Sequence, residues 1–295
     1  MRNTAKGEKA RASIEESTGR KRVVEVWELN LSSYQSVQAF AKRAEGLERV
    51  DVLLENAGLM NLKFGMAEAD ESTVTTNVVS TFLLALLMLP KLRETAQRFN
   101  TAPRITVVSS ELHFMAKFEE GKEEGRGVFE ALRDEKRADM GDRYVIPCFF
   151  FCMRRAGLAD REARYGTTKL LEILLARELA QRIQPSPGAE AAVIVNTLTP
   201  GACKSDFFRE AGFISRTVMT IIGAIIARTT EVGSRTLVAA ASSGQESHGR
   251  YMADGVVSTE SPWVLSEEGK RVGERVWREL MEDLERVNPG IGENI

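Results

Sequence analysis

V-D-V-L-L-E-N-A-G, Val50 to Gly58, reads as a buried strand that runs into a turn. Val50, Val52, Leu53 and Leu54 make an apolar run too short for a helix, and the Asn and Gly that follow are residues that tolerate unusual backbone geometry. Working outward, Ser32 and Ser33 announce a helix over Ser36–Glu48 on one side. On the other, Ser72–Phe99 reads as a long helical region interrupted near Pro90, followed by a strand over Ile105–Ser109. The outer chain continues the pattern. Thr4–Ser17 reads as a charged helix, Val23–Leu29 as a strand, Tyr165–Ile183 as a helix and Ala192–Leu198 as a strand. Helices over Thr230–Ala241 and Glu267–Val287 flank a short last strand at Gly249–Met252. Apolar strands alternating with amphipathic helices imply an α/β fold, a doubly wound parallel sheet covered on both faces, in one domain over residues 1–295.

Composition narrows the function. A formal charge of -2 with acids and bases interspersed gives no global electrostatic case for nucleic acid or an anionic membrane. Small-molecule chemistry is the better expectation. Cys148, Cys152 and Cys203 make no disulfide framework, and M-R-N-T-A-K-G-E-K-A lacks the apolar core of a secretory signal, so a reducing, cytoplasmic location is expected. The apolar runs Val145–Met153 and Val218–Ala227 fall short of the ~20 residues a spanning helix needs, so no membrane span is expected. No metal site is expected, because His113 and His248 are isolated and no paired histidines accompany Cys148 and Cys152.

Chemistry enters at R-Y-G-T-T-K-L-L-E-I-L-L, Arg164 to Leu175. One helical turn separates Tyr165 from Lys169, so they share a face, and an ammonium beside a phenol favours the phenolate and lowers its pKa. Such a tyrosine can exchange a proton with an alcohol oxygen. The same spacing occurs on solvated helix faces, and the neighbours decide between the readings. E-N-A-G (Glu55 to Gly58) ends one strand, Asn77 stands in T-T-N-V-V-S-T-F-L-L, and Ser109-Ser110 end another strand. Pro200-Gly201 follow V-I-V-N-T-L-T. This ordered set resembles the short-chain dehydrogenase/reductase family over roughly Met1 to Gly255.

The resemblance implies a Rossmann-like fold and an NADP-dependent oxidoreductase, with NAD as the lesser alternative, that interconverts a carbonyl and an alcohol. Tyr165 would be the general acid or base. Lys169 would bind the nicotinamide ribose and depress the tyrosine pKa, Ser110 (with Ser109 as runner-up) would bond the substrate oxygen, and Asn77 would hold a relay water. Arg2, Asn30, Asn56, Ala57, Gly58, Pro200, Gly201, Cys203 and Ser205, with Tyr165 and Lys169, would border the cofactor. Asn30 stands where relatives have an aspartate, and Ser205 where they more often have threonine. Each also has a plain structural reading, as a helix cap or a post-strand turn. Asp206–Arg228 would line the substrate pocket, residues 265–295 would form a C-terminal helix and tail, and Ser72–Phe99 would serve a homodimer or homotetramer interface. W-E-L-N-L-S-S-Y-Q-S-V-Q-A-F-A and V-L-L-E-N-A-G look like the fungal natural-product branch, so the expected partner is a small-molecule ketone or alcohol of secondary metabolism.

Two departures stand out. The family's glycine-rich turn between first strand and first helix is absent from this sequence, so the resemblance implies that the first β-α-β unit is missing and that sheet edges and apolar faces lie exposed. Tyr144–Arg164 begins and ends at a repeated Arg-Tyr. Excising these 21 residues restores G-D-R-Y-G-T-T-K, which reads as a translated intron of about 63 nucleotides; a genuine loop insertion is the alternative. Tyr144 is a decoy, because Cys148 occupies the place a lysine would need. The competing functional reading is a degenerate, non-redox relative acting as scaffold, isomerase or relic.

Overall fold

The structure is a computed structural model, and it describes residues 3–61, 63–136, 138, 164–183, 193–203 and 228–295. Helix α1 (Thr4–Thr18) starts at Asn3, whose side chain accepts from the Lys6 amide, and ends at Gly19 with φ +66°. Helix α2 (Tyr34–Ala44) is capped by Ser33 and buries Tyr34, Val37, Ala41 and Ala44, a stripe at alternating three- and four-residue steps. Strand β1 (Val52–Glu55) follows, then a small antiparallel hairpin of β2 (Met66–Ala67) and β3 (Asp70–Glu71). Helix α3 (Ser80–Phe99) is almost wholly buried. Beyond it come β4 (Arg104–Val108), α4 (Val128–Leu132), α5 (Arg164–Arg182), β5 (Ile194–Leu198) and α6 (Thr230–Ser242). The chain closes with β6 (Tyr251–Ala253), β7 (Val256–Ser258) and α7 (Glu267–Val287).

The main sheet runs β1-β4-β5-β6-β7, parallel from β1 to β6, with β7 antiparallel on β6. β7 escapes the sequence reading, although Asp254-Gly255, both at positive φ, make the tight turn that a D-G pair signals. One face of the sheet, carrying Leu53, Ile105, Val107 and Val195, packs under α3 and α5, with α2 and α7 in the same core. Each large side chain buried there contributes about 1.5–3 kcal/mol of apolar transfer. The other face, Val108, Leu198 and Met252, packs on Ala240 of α6. Val52 and Leu54 sit on that second face at the sheet edge and are 38% and 39% exposed.

Two expectations need correction. Val23–Leu29 forms no strand: among the described residues it has no ladder partner, and Trp27 packs edge-on against Phe40 of α2 with Arg43 above its ring instead. The long helix does not break at Pro90, which is exposed within α3. Proline removes the donor that would satisfy the Leu86 carbonyl, and the Asn294 side chain supplies one at 3.1 Å. The irregularity lies earlier, in a π-turn at Thr75–Val79. The stretch Ser72–Phe99 is long and apolar enough to cross a membrane, yet its side chains are spent on the core of this fold.

Candidate active site

The motif residues converge at the carboxyl ends of β1, β4 and β5, where open α/β sheets leave a crevice for ligands. Asn56, Ala57 and Gly58 leave β1 as an exposed turn, the Asn56 amide donating to the Leu54 carbonyl at 3.2 Å. Asn77 sits fully buried in the π-turn, a feature frequent at functional sites, rather than in a regular helix. Its Oδ1 accepts from the Leu59 amide at 2.9 Å, and its Nδ2 donates to the Leu59 carbonyl at 2.9 Å and to Thr168 Oγ1 at 3.1 Å. Asn77 thus clamps the post-β1 turn to α5. A Cβ at Gly58 would lie 3.2 Å from Asn77 Oδ1 and 3.6 Å from Lys169 Nζ, which explains the glycine.

Ser109 and Ser110 divide two tasks. Ser109 is buried and donates to the Lys169 carbonyl at 2.8 Å, fixing α5 to the end of β4. Ser110 is partly exposed and caps a 3₁₀ turn, accepting from the Leu112 amide at 3.2 Å. That bond uses a lone pair and leaves the hydroxyl proton for a substrate oxygen. The turn packs onto the residue after Tyr165: a Cβ at Gly166 would stand 3.2 Å from the Leu112 carbonyl.

Tyr165 and Lys169 lie in the first turns of α5, with Nζ 5.4 Å from the phenol ring centre. Burial raises the Tyr165 pKa, Lys169 lowers it and Glu172 raises it again. The net direction is upward, which corrects the expectation of a depressed phenol, because desolvation outweighs the lysine. The ammonium is also shared: it donates to the Val108 carbonyl at 2.8 Å and to Glu172 Oε1 at 2.7 Å. Its pKa is raised, Glu172 and Tyr165 overcoming the burial that pulls it down.

After β5, Gly201 takes φ +71° and its amide donates to Thr199 Oγ1 at 3.1 Å. Pro200 offers its carbonyl to the Cys203 thiol, and Cys203 pairs with Arg228 in a single bridge, so the loop turns back onto the start of α6. Asn30 is a turn residue, its Oδ1 accepting from the Ser32 amide at 3.2 Å ahead of α2. Arg2, Ser205, the Tyr144–Ala163 stretch and the pocket segment up to Ala227 lie outside the described residues. Arg164, the last residue of the suspect segment, opens α5 and pairs with Glu120 at 2.9 Å. Sequence reasoning missed Thr168, which holds Asn77, and Glu172, whose signal is a lone acid three residues after Lys169 in an otherwise apolar run. Among the described residues no group of three or more His, Cys, Asp or Glu side chains could hold a metal ion.

The donor set suits the ribose and carbonyl end of a nicotinamide cofactor: an ammonium, a phenol and a free hydroxyl proton beside a glycine turn that keeps Cβ out of the way.

Comparison with known proteins agrees with the geometry. The short chain dehydrogenase family model matches residues 1–119. The short-chain dehydrogenase anuD of Penicillium roqueforti is 40% identical over 294 residues, covering 99% of this chain and 71% of that protein. The short chain dehydrogenase/reductase dmxR8 of a Cryptosporiopsis species is 38% identical over 298 residues, covering 100% of this chain and 84% of that one. Among solved structures, an uncharacterized protein from Mycobacterium paratuberculosis superposes with TM-score 0.60 at 22% identity, covering 97% of this chain and 82% of that chain. A short-chain dehydrogenase from Sphingobium yanoikuyae in complex with NADPH does so with TM-score 0.50 at 17% identity, covering 81% and 71%; both likenesses concern the fold.

Proposed function

This chain belongs to the short-chain dehydrogenase/reductase family, oxidoreductases acting between CH–OH and C=O, and from that premise we propose that it is an NADP-dependent reductase or dehydrogenase of a fungal secondary-metabolite ketone or alcohol. The observation that carries the reading is the meeting of Tyr165, Lys169, Ser110 and Asn77 at the ends of β1 and β4. The nicotinamide group would supply the hydride. Lys169, Gly58 and the Pro200–Cys203 loop would hold its ribose and amide end. Ser110 would orient the substrate oxygen through its hydroxyl proton, and Tyr165 would give or take the proton at that oxygen. Asn77 holds the turn that frames the site; both of its Nδ2 protons are donated, so a relay water would use the second lone pair of its Oδ1.

Burial keeps Tyr165 protonated at neutral pH in the described state, so it stands ready as an acid for carbonyl reduction. Assembly as a homodimer or homotetramer belongs to the same proposal and is read by light scattering. NADPH binding followed by fluorescence is the first test. Saturable binding with loss of turnover in Tyr165→Phe, by about 10²–10⁴-fold, and with cofactor affinity retained, supports the reading. No NADPH binding by the folded chain would favour the non-redox relative.

A further inference from the structure

Where α5 packs on the sheet, Glu172 of α5 and Glu55 of β1 are two buried glutamates that the proton-transfer reading leaves unused. Glu172 Oε1 lies 2.7 Å from Lys169 Nζ, with both side chains about nineteen-twentieths buried or more, at 3% and 5% exposure. Its other oxygen has no hydrogen-bond partner, and neither oxygen of Glu55 has one. Leu53 and Glu55 register against Ile105 and Val107, so Glu55 points to the face that α5 covers. Glu172 acts on the Glu55 carboxyl as a like charge. Two carboxylates beside one ammonium would leave a net buried negative charge, and a protein relieves such a charge by taking up a proton. A neutral carboxylic acid also becomes a donor, so a single proton would pair one of Glu55's two orphaned oxygens with the orphaned oxygen of Glu172.

We propose that Glu55 and Glu172 share one proton and form with Lys169 a buried chain that positions the lysine ammonium, Glu55 donating to Glu172 and Glu172 holding Lys169. The chain is then electrically neutral. Burial, reinforced by Glu172, holds the Glu55 carboxyl well above its ordinary value; burial pushes Glu172 up to about 7 against the pull of Lys169 and of the Ser109 hydroxyl. The charged and titratable groups facing the pair are Lys169 and Tyr165, both on α5, and the ammonium's remaining partner is the Val108 carbonyl on β4. Losing the shared proton would add a negative charge that draws the ammonium inward and raises the phenol. Glu55 and Glu172 are therefore positioning residues, and their effect on the cofactor rests on the family reading of Lys169.

The test separates the pair from that reading. Protein carrying ¹³C-carboxyl glutamate is titrated by NMR without cofactor or substrate. The wild type should show two glutamate carboxyls titrating above the ordinary value of about 4.3, Glu172 near 7 and Glu55 well above its ordinary value. Glu55→Gln, which keeps the shape of the protonated acid, should remove one of the two raised titrations and leave that of Glu172, and Glu172→Gln should move the Glu55 midpoint down. A wild type in which every glutamate titrates in the ordinary range overturns the proposal, even if neither variant folds. Two raised midpoints persisting in a folded Glu55→Gln would do so as well. The positioning role is read separately, from NADPH affinity against pH: several-fold weaker across the titration in the wild type, level in Glu55→Gln. A level wild-type profile removes that role. A chain that binds no NADPH sinks the assigned cofactor site, while the carboxyl titration still decides the pair.

Discussion

Two buried charge clusters in this molecule meet the same physical demand in different ways. At the junction of α4, α7 and the β2–β3 hairpin, Arg133 donates to Asp70 Oδ1 at 2.8 Å and to Asp283 Oδ2 at 2.7 Å, and Arg286 reaches Asp283 at 2.8 Å. Arg133, 30% exposed, bonds both carboxylates, while Arg286, 69% exposed, reaches Asp283 from three residues further along α7, and the result is a rivet between distant parts of the chain. At the strand ends, Lys169 alone faces Glu172 and Glu55. Burial lifts the Asp70 carboxyl as it lifts the glutamates, but there the nearby Arg133 opposes it directly through a hydrogen bond and its charge. Desolvation acts in both places; an arginine answers it in the rivet, and a proton must answer it in the site. A carboxylate neither of whose oxygens has a partner, rather than burial itself, separates the second cluster from the rivet.

Removing the cation from each cluster is the strongest way to break the comparison. Arg133→Ala strands two largely buried carboxylates, and a loss of about 3–5 kcal/mol in urea unfolding at neutral pH is expected. The loss should shrink in acid, where Asp70 protonates more readily than an ordinary aspartate. Lys169→Met removes a cation from a cluster that already holds a proton, so about 1–3 kcal/mol is expected, together with loss of NADPH binding. A larger destabilisation from Lys169→Met than from Arg133→Ala would reverse the ranking and with it the distinction drawn here.

The pH dependence sharpens the same contrast. Glu55 and Glu172 have folded values above their unfolded ones, so the stability they confer is complete below the unfolded value. It is lost as pH rises through the folded value. Wild-type stability should therefore fall between about pH 4.5 and about 7 through these groups, by on the order of 1–3 kcal/mol. Glu55→Gln should lessen that slope in thermal melts, leaving the part due to Glu172, whereas Arg133→Ala should not flatten it. A Glu55→Gln variant with the wild-type slope would place the imbalance elsewhere.

The difference between the clusters also marks how far the sequence could be read. Apolar runs such as Val50–Glu55 and Ile105–Ser109 declare strands, although β1 lies at the sheet edge with Val52 and Leu54 exposed, and helix caps such as Ser33 declare where α2 starts. Val23–Leu29 misleads because a strand is a property of pairing: its composition suits a ladder, but among the described residues no neighbour offers one. Pro90 misleads because its remedy, Asn294, lies 204 positions away along the chain. Tyr165, Lys169, Ser110 and Asn77 were legible because their spacing and order carry the chemistry. Glu55 and Glu172 were not, since nothing in a one-dimensional reading brings β1 and α5 together on one face. Their orphaned oxygens exist only in three dimensions.

A third ion pair completes the series at its weak end. Arg235 Nε stands 2.9 Å from Glu231 Oε1, with a second contact at 3.1 Å from Nη2 to Oε2, on the exposed side of α6. By distance alone this fork matches the Arg133 and Lys169 pairs. Its side chains, however, are 70% and 67% exposed, so water screens the attraction and both groups keep most of their hydration. Neither carboxylate nor guanidinium would be stranded if its partner left. Arg235→Ala should therefore cost less than about 0.5 kcal/mol in urea unfolding, and added salt should erase even that. A loss above about 1 kcal/mol would mean that contact geometry, rather than burial, ranks the three pairs. The case for a proton between Glu55 and Glu172 would then weaken too, because it rests on the cost of leaving a charge unanswered away from water.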